Sequence, residues 1–192
     1  MAKLYFNYST MNAGKSTVLL QASHNYIERG MKTFLLTARL DHRAGEGVIG
    51  SRIGLETPAE TFEAGQNLYD LIDEARKGGE IHCALVDEAQ FLETEQVWQL
   101  ARVADDLNIP VMCYGLRTDF QGQLFPGSAA LLAIADNLRE VRTICWCGAK
   151  ATMVVRLGAS GEVQEEGDQI AIGDDIYVSL CRKHWRERRL FA

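Results

Sequence analysis

The sequence is poor in the features that mark membrane-spanning, secreted and disordered proteins. Its 192 residues include only 3 prolines, and no apolar run is long enough to cross a bilayer. The N-terminus has one early lysine but no apolar core followed by a cleavage site, so we expect no signal peptide. The 5 cysteines are an odd number, which argues against a disulfide framework. We therefore expect a cytoplasmic protein with reduced thiols and no membrane partner.

A surplus of basic residues is also missing, because the formal net charge is −6. A dedicated nucleic-acid-binding protein needs clustered Lys and Arg, so we expect no nucleic-acid partner. The short basic segment 181–189 is better explained as the solvated face of a terminal helix. Hydrophobic residues make up 47% of the chain, which is enough for one sizeable core, with or without a small appendage.

Apolar runs alternate with helical patterns along the first 143 residues. Strands separated by helices pair in parallel through crossover connections, so the pattern predicts an α/β fold with a parallel sheet. The polar segment Arg39–Thr57 contains four glycines and is predicted to be a mobile surface loop. The predicted strands are Lys3–Asn7, Lys32–Ala38, His82–Glu88 and Pro110–Gly115, and the predicted helices are Ser16–Arg29, Gln66–Lys77 and Thr94–Asn108.

The pattern changes after about Arg142, where apolar runs become short and are separated by turn residues. Such spacing is typical of a small β module. We therefore predict two domains, an α/β domain over residues 1–143 and a β module over residues 144–192.

The stretch "YSTMNAGKST" (Tyr8–Thr17) nearly matches the phosphate-loop pattern G-x-x-x-x-G-K-[ST]. It follows a predicted strand and opens a predicted helix, whose N-terminal N–H groups would bind phosphate. Lys15 would reach the β- and γ-phosphates of ATP, and the Ser16 hydroxyl would ligate Mg²⁺. Ser9 stands where the first Gly belongs, which is a defect only if that position needs positive φ or close backbone approach. The alternative is a polar loop before a helix.

The stretch "CALVDEAQF" (Cys83–Phe91) is an apolar strand that ends in two acids. Asp87 would hold Mg²⁺ or its waters, and a carboxylate here can take a proton from an attacking hydroxyl or water. The alternative is a pair of solvated acids at the end of a strand.

Four potential metal ligands lie in the C-terminal module. Cys145 and Cys147 form a C-x-C pair, and Cys181 and His184 form a C-x-x-H pair. Two close pairs predict a structural Cys₃His zinc site that ties two hairpin ends together. The C-x-C spacing is tighter than usual, so free thiols are the alternative.

Aromatic side chains follow the predicted strands, and they could stack on a nucleobase near the phosphate site. Taken singly, each of them is more often a core residue. The four candidates are Phe91, Phe120, Phe125 and Tyr177.

Taken together and in this order, these segments resemble the type II thymidine kinases, the family of the bacterial and human cytosolic enzymes. The resemblance covers about Lys3–Trp185, and its most specific parts are "DEAQF", "DFQGQLF" and "YVSLCRKH". It implies a phosphate-loop (RecA-like) sheet with a C-terminal zinc-binding β module that carries a lasso-like loop. It also implies transfer of the γ-phosphoryl group of ATP to the 5′-hydroxyl of thymidine, giving dTMP and ADP, with Mg²⁺ and structural Zn²⁺.

The resemblance also implies residue roles, with Glu88 as the general base and Asp87 as the Mg²⁺-associated acid. Asp41 and Arg43 resemble a D-x-R pair near the phosphates, and Gln121–Ser128 resembles the lasso-like loop that closes over thymidine. The implied ATP- and phosphate-binding residues are Ser9, Thr10, Met11, Asn12, Ala13, Gly14, Lys15, Ser16, Asp87 and Gln90, with Mg²⁺ at Ser16 and Asp87. The implied substrate-binding residues are Met11, Asp41, Arg43, Phe91, Phe120, Phe125, Ile172 and Tyr177.

The family is usually a homotetramer inhibited by its end product dTTP, so the resemblance implies both properties for this chain. The sequence departs from the family at Ser9, and at Asn12-Ala13 where many members have Phe-Ser or similar. Two other classes are consistent with the individual motifs. One is a phosphate-loop ATPase coupled to a zinc-ribbon nucleic-acid-binding module, and the other is a zinc-stabilised binding protein with an inactive loop.

Overall fold

The structure is a computed structural model that describes residues 1–158, 160–170 and 176–191. Its strands are β1 (Leu4–Ser9), β2 (Thr33–Ala38), β3 (Val48–Gly50), β4 (Glu56–Pro58), β5 (Glu60–Phe62), β6 (Cys83–Val86), β7 (Val111–Leu116), β8 (Asn137–Glu140), β9 (Thr143–Ile144), β10 (Lys150–Ala151), β11 (Met153–Leu157) and β12 (Ile176–Leu180). Its helices are α1 (Lys15–Ile27), α2 (Leu68–Lys77), α3 (Thr94–Asp106), α4 (Pro126–Ile134) and α5 (Arg182–Arg186).

Six strands form a central sheet in the order β5-β2-β6-β7-β1-β8, and every neighbouring pair is parallel. The predicted α/β fold with a parallel sheet is thereby confirmed. Parallel pairing puts the carboxyl ends of all six strands at one edge, which is where ligands bind in open α/β sheets.

Both faces of the sheet are covered, which explains why its central strands are continuous apolar runs. Successive side chains of a strand point to opposite faces, so β6 contributes to two cores. Cys83 and Leu85 belong to a core with residues of α1, whereas Ala84 and Val86 belong to a core with residues of α2, α3 and α4. The helices thus hold the sheet from both sides and keep its carboxyl edge in a fixed position.

The ends of the helices follow from local capping chemistry. The Asn67 side chain accepts hydrogen bonds from two N–H groups of the first turn of α2, and Glu93 and Gln96 form a capping box at the start of α3. The predicted bounds of α1, α2 and α3 agree with the structure to within two residues.

The segment Arg39–Thr57 is exposed over most of its length, as predicted, but it is not a loop throughout. It contains most of an antiparallel hairpin, in which β3 pairs with β4, and the Ile49 side chain is only 1% exposed. Ile49 packs in the same core as Leu19 and Leu20 of α1. The glycine-rich composition suggested a loop, but burial of this one apolar side chain against α1 fixes the hairpin.

The predicted loop Gln121–Ser128 ends earlier than expected, and its closure over thymidine stays a prediction. The N–H groups of Gln121 and Gln123 both donate to Asp119 Oδ1, which makes a tight turn, and α4 begins directly afterwards at Pro126. Proline is favoured at the first helical position because its fixed φ suits the helix.

The segment between β11 and β12 reaches this turn instead. Gln169 Nε2 donates to Asp119 Oδ2 over 2.8 Å, and Gln121 Nε2 donates to the Glu165 carbonyl over 3.1 Å. Ile172, which was expected in the substrate site, lies outside the residues that the structure describes.

The C-terminal part is built from small two-stranded sheets, β9 with β10 and β11 with β12, followed by α5. It contacts the turn after β7 through Trp185, whose indole N–H donates to the Phe120 carbonyl of that turn and to the Val154 carbonyl of β11. The division after residue 143 stays a prediction, since β9 spans Thr143–Ile144. Among the described residues, no helix combines the length and hydrophobicity needed to span a membrane.

Candidate active site

The phosphate loop connects the carboxyl end of β1 to the start of α1. Asn12 and Gly14 have φ values of 60° and 79°, in the left-handed region. Alternation of left- and right-handed residues turns successive N–H groups toward one point, which makes a binding site for anions. An added Cβ at Gly14 would meet only the Thr17 hydroxyl at 4.0 Å, so backbone conformation rather than space requires glycine there.

Ser9 is the last residue of β1 and is paired in register with Leu116 of β7. Its backbone is therefore extended, and the position does not require glycine. The Ser9 side chain is buried, and its hydroxyl donates to the Val141 carbonyl. The departure from the phosphate-loop pattern is accommodated by an ordinary strand residue with a satisfied hydroxyl.

Lys15 is the first residue of α1 and is only 7% exposed. Its ammonium group donates to the Thr10 carbonyl over 2.9 Å. Burial lowers the pKa of Lys15, whereas the nearby carboxylates of Glu88 and Asp87 act in the opposite direction. A buried ammonium group is little screened by water, so it is suited to bind an anionic ligand such as a phosphate.

Asp87 follows β6 at the carboxyl edge of the sheet and is 4% exposed. Burial, and then the charge of Glu88, raise the pKa of Asp87 to about 7, while a hydrogen bond from the Ser16 hydroxyl lowers it. Asp87 Oδ1 is buried with no hydrogen-bond partner among the described residues. An unpaired carboxylate oxygen beside a Ser hydroxyl fits Mg²⁺, which prefers hard oxygen ligands.

Glu88 has a φ of 50°, which is uncommon for a residue with a side chain and is typical of functional sites. Arg43 Nη2 donates to one of its carboxylate oxygens over 2.8 Å, and Gln90 Nε2 donates to the other. Gln90 Oε1 in turn accepts from the backbone N–H of Leu116 over 2.9 Å. The Glu88 carboxylate is thereby held by one contact from the hairpin side and one from the sheet.

Arg43 also forms a two-pronged ion pair with Asp41, in which Nε and Nη2 each lie 2.7 Å from a carboxylate oxygen. Burial would raise the pKa of Asp41, but hydrogen bonds and charge from Arg43 outweigh it and lower that pKa. The predicted D-x-R pair is therefore connected directly to Glu88 in space.

One cavity of about 420 Å³ joins these elements. Its walls are the phosphate loop, the two acids after β6, the D-x-R pair and the hairpin of β3 and β4. The predicted site residues on its wall are Met11, Asn12, Ala13, Gly14, Lys15, Ser16, Asp41, Arg43, Asp87 and Glu88. Three predicted nucleotide-binding residues, Ser9, Thr10 and Gln90, are instead buried behind the wall, where they support residues that line the cavity.

The predicted aromatic residues do not line this cavity. The rings of Phe91 and Phe125 meet edge to face at 6.2 Å, and Phe120 lies under the Arg156 guanidinium at 3.9 Å. Tyr177 lies on β12 beside the phosphate loop, where its carbonyl oxygen accepts from Asn12 Nδ2 over 3.3 Å. A stacking role for these rings stays a prediction.

The four predicted zinc ligands lie close together in the C-terminal part. The ligand atoms of Cys145, Cys147, Cys181 and His184 all lie within 4.8 Å of one another. His184 Nδ1 is 3.3 Å from Cys181 Sγ and 3.5 Å from Cys145 Sγ. Burial opposes ionisation of Cys145, but hydrogen bonds from backbone groups and from His184 lower its pKa to about 6. A Cys₃His set with a thiolate-forming member fits a structural Zn²⁺.

Sequence reasoning missed two residues that contribute to the site. Arg52, in the turn of the hairpin, lies on the cavity wall and acts electrostatically on Lys15. A basic residue flanked by glycines after the D-x-R pair was the available signal for it. Ser179 touches the phosphate loop from β12, and a hydroxyl within a strand carries no sequence signal of its own.

A phosphate loop after a parallel strand, with paired acids at the end of a neighbouring strand, defines a phosphate-loop nucleotide-binding protein. The family model "Thymidine kinase" matches residues 2–185. Similar proteins include the thymidine kinase of Mesorhizobium japonicum, which is 68% identical over 97% of this chain and 92% of its own length. The thymidine kinase of Shewanella oneidensis is 57% identical over 97% of this chain and 98% of its own length. The chain belongs to the thymidine kinase family.

Proposed function

We propose that this chain transfers the γ-phosphoryl group of ATP to the 5′-hydroxyl of thymidine, which yields dTMP and ADP. Phosphorylation of thymidine is the activity of the family to which the chain belongs. The observation that carries the residue-level proposal is the convergence of Lys15, Asp87 and Glu88 on one cavity beside the phosphate loop. A cation, an unpaired acid and a held carboxylate are the groups that phosphoryl transfer requires.

The phosphate loop and Lys15 bind the triphosphate in this proposal. The N–H groups around Asn12 to Ser16 surround the phosphates, and the Lys15 ammonium neutralises charge at the transferred group. Ser16 and Asp87 would hold Mg²⁺, which supplies further charge neutralisation when bound. Asp41 and Arg43 lie on the same cavity wall, and a guanidinium there stabilises charge on the phosphoryl oxygens.

Glu88 is the general base of the proposed reaction. The 5′-oxygen of thymidine forms a bond to the γ-phosphorus, the bond from that phosphorus to the leaving ADP oxygen breaks, and the hydroxyl proton passes to Glu88. Contacts from Arg43 and Gln90 fix both carboxylate oxygens, which supports a positioned base rather than a mobile one.

The nucleoside is assigned to the region of Met11, Phe91, Phe120, Phe125 and Tyr177. Support comes from the edge-to-face contact of Phe91 with Phe125 and from the position of Tyr177 beside the phosphate loop. Aromatic side chains bind bases through their faces, and closure of the site excludes water that would otherwise accept the phosphoryl group. Ile172 belongs to the same assignment through the family resemblance alone.

Replacement of Glu88 by Gln tests the proposal, because the change keeps the size and removes the basic oxygen. We expect ATP binding to persist and turnover to fall about 100-fold or more, the range for loss of a general base. Isothermal titration with an ATP analogue and a dTMP production assay measure the two quantities. Near-normal turnover would exclude Glu88 as the base.

ATP turnover with and without thymidine separates the kinase from the competing ATPase hypothesis. A kinase consumes ATP in proportion to the dTMP that it forms. A rate of ATP consumption that thymidine does not change and that DNA increases would favour the nucleic-acid-stimulated ATPase instead.

We also propose a homotetramer that is inhibited by dTTP and resides in the cytoplasm. The family resemblance supports the first two properties, and the need for reduced thiols at the zinc site supports a reducing compartment. Light scattering after size exclusion tests the assembly, and an activity assay with added dTTP tests the inhibition. A monomer in solution would contradict the first, and unchanged activity would contradict the second.

A further inference from the structure

The phosphate loop is hydrogen-bonded to a strand of the C-terminal part. The Ser179 hydroxyl of β12 donates to the Met11 carbonyl over 2.6 Å, and Thr10 Oγ1 lies 3.2 Å from Ser179 Oγ. Asn12 Nδ2 donates to the Tyr177 carbonyl over 3.3 Å. Three consecutive residues of the loop, residues 10–12, therefore contact one strand that is more than 160 positions away in the chain.

β12 is in turn anchored by the candidate zinc site. Cys181 follows Leu180, the last residue of β12, and the side chains of Cys181 and Leu180 belong to the small core of the C-terminal part. Among the described residues that core contains six buried side chains, which is few, so a bound metal would contribute much of its stability. A change at Cys181 can thus reach Ser179 through Leu180, the last residue of β12.

These contacts fall on the part of the loop whose backbone is least favourable. Asn12 is left-handed at a φ of 60°, and its side-chain amide is the group bound to Tyr177. Anion binding by backbone N–H groups is strong only when the groups are already oriented, since ordering them on binding costs free energy. The hydrogen bonds to β12 hold the loop in its binding conformation before the nucleotide arrives.

We propose that Ser179 is a positioning residue, which together with Asn12 makes nucleotide affinity depend on the zinc-stabilised C-terminal part. This inference rests on the assignment of the phosphate loop as the nucleotide site. According to this proposal, β12, which carries Tyr177 of the proposed nucleoside region, also sets the conformation of the phosphate loop.

Ser179→Ala is the direct test, with Ser179→Thr as the variant that keeps the hydroxyl. We expect Ser179→Ala to weaken binding of an ATP analogue, and to raise the KM for ATP, by about threefold to tenfold, the effect of one or two ordinary hydrogen bonds. The KM for thymidine should change much less, and Ser179→Thr should restore the affinity for ATP. A merely structural role would instead lower stability without separating the two KM values.

Ser160→Ala is the matched control, because it removes a hydroxyl from the same part of the chain. The Ser160 hydroxyl contacts Glu162 and is exposed, so nucleotide affinity should equal that of the unmodified chain. Metal analysis and thermal unfolding on all variants establish that the C-terminal part is intact.

Asn12→Gly provides a second route if Ser179→Ala does not fold. Glycine adopts positive φ freely, so this variant removes the amide contact without straining the loop. It should also weaken nucleotide binding, because the loop is no longer held by Tyr177. Removal of zinc measures the coupling between the zinc site and the phosphate loop. It should reduce nucleotide affinity less in Ser179→Ala than in the unmodified chain.

Lys15→Ala separates failure of the inference from failure of the site assignment. If Lys15→Ala abolishes nucleotide binding while Ser179→Ala and Asn12→Gly leave it unchanged, the positioning role is wrong. If Lys15→Ala has no effect either, the phosphate loop is not the nucleotide site.

Discussion

At the scale of single residues, backbone conformation decides which positions of the phosphate loop need glycine. Gly14 is left-handed and is the N-cap of α1, whereas Ser9 lies in an extended strand and its hydroxyl donates to the Val141 carbonyl. The sequence pattern alone treats the two glycine positions as equivalent. Only Gly14 has a positive φ, at which a side chain is strained, whereas the extended strand at Ser9 accepts a side chain without strain.

Ser9→Gly should therefore lower stability and leave nucleotide binding intact. The change removes a buried hydrogen bond and places glycine inside a strand, which together cost about 1–2 kcal/mol of the free energy of unfolding. Urea unfolding measures the first effect, and the KM for ATP measures the second. A markedly lower KM for ATP would mean that Ser9 impairs the loop after all.

Arg156 shows how one buried cation can hold a segment in place. Its guanidinium lies over the Phe120 ring, its Nη1 donates to the Asp168 carbonyl over 2.9 Å, and its Nε donates to Gln164. These contacts fasten the segment between β11 and β12 beside a predicted nucleoside residue.

Arg156→Met keeps much of the apolar length and removes the donors and the charge. If the nucleoside binds near Phe120, the KM for thymidine should rise about tenfold, in line with the loss of charge-assisted hydrogen bonds. The KM for ATP should stay close to its original value. Arg102→Met, which changes an exposed arginine on α3, is the matched control, and equal behaviour of the two variants would contradict the expectation.

At the scale of elements, α4 packs against the turn that directly follows Glu88, the candidate general base. A Cβ built on Gly127 would lie 2.5 Å from the Leu92 carbonyl and 2.8 Å from the Ala89 carbonyl. The one-turn 3₁₀ helix Ala89–Phe91 begins directly after Glu88, which is its left-handed N-cap residue. A helix that no motif identified thus contributes to the geometry of the site.

Gly127→Ala should shift this turn and reduce kcat more than the affinity for ATP. Overpacking against backbone atoms costs about 1–3 kcal/mol of stability. Gly78→Ala at the end of α2 is the control, because its added Cβ would make only an ordinary contact of 3.5 Å and its backbone is not left-handed. Similar kcat values for both variants would show that α4 does not position Glu88.

Helices and strands could be predicted from the sequence where their apolar residues form a continuous run or recur with a regular period. The strands β1, β2, β6 and β7 are apolar runs, and α2 and α3 are amphipathic with capping residues, so all six were expected. The edge strand β8, with sequence Asn-Leu-Arg-Glu, and the almost wholly apolar α4 show neither period. Contacts with β1 and with the turn after β6 create these two elements, and such contacts join distant parts of the chain.

At the scale of the whole molecule, we propose that a zinc ion bound by the four clustered side chains is needed for the C-terminal part to fold. Cys181→Ser removes one of four ligands, so we expect loss of bound zinc and unfolding of this part, because its core is small. Mass spectrometry of the native protein and metal analysis check the result. Cys113→Ala changes a buried cysteine of the central sheet and should keep the metal, whereas unaltered zinc in Cys181→Ser would refute the ligand set.

Patterns in the amino-acid sequence were enough to predict the parallel α/β sheet, the phosphate loop, the acids after β6 and the set of Cys and His residues that cluster in space. A short period or a fixed spacing within a few residues encodes each strand, each helix, the phosphate loop and each of the two pairs of potential metal ligands. Only the tertiary structure decided that Ser9 is a strand residue, that Arg43 and Gln90 hold Glu88, and that β12 supports the loop. Except for the contact between Gln90 and Glu88, these contacts join segments far apart in the chain. They form only when the sheet and its two cores have brought those segments together.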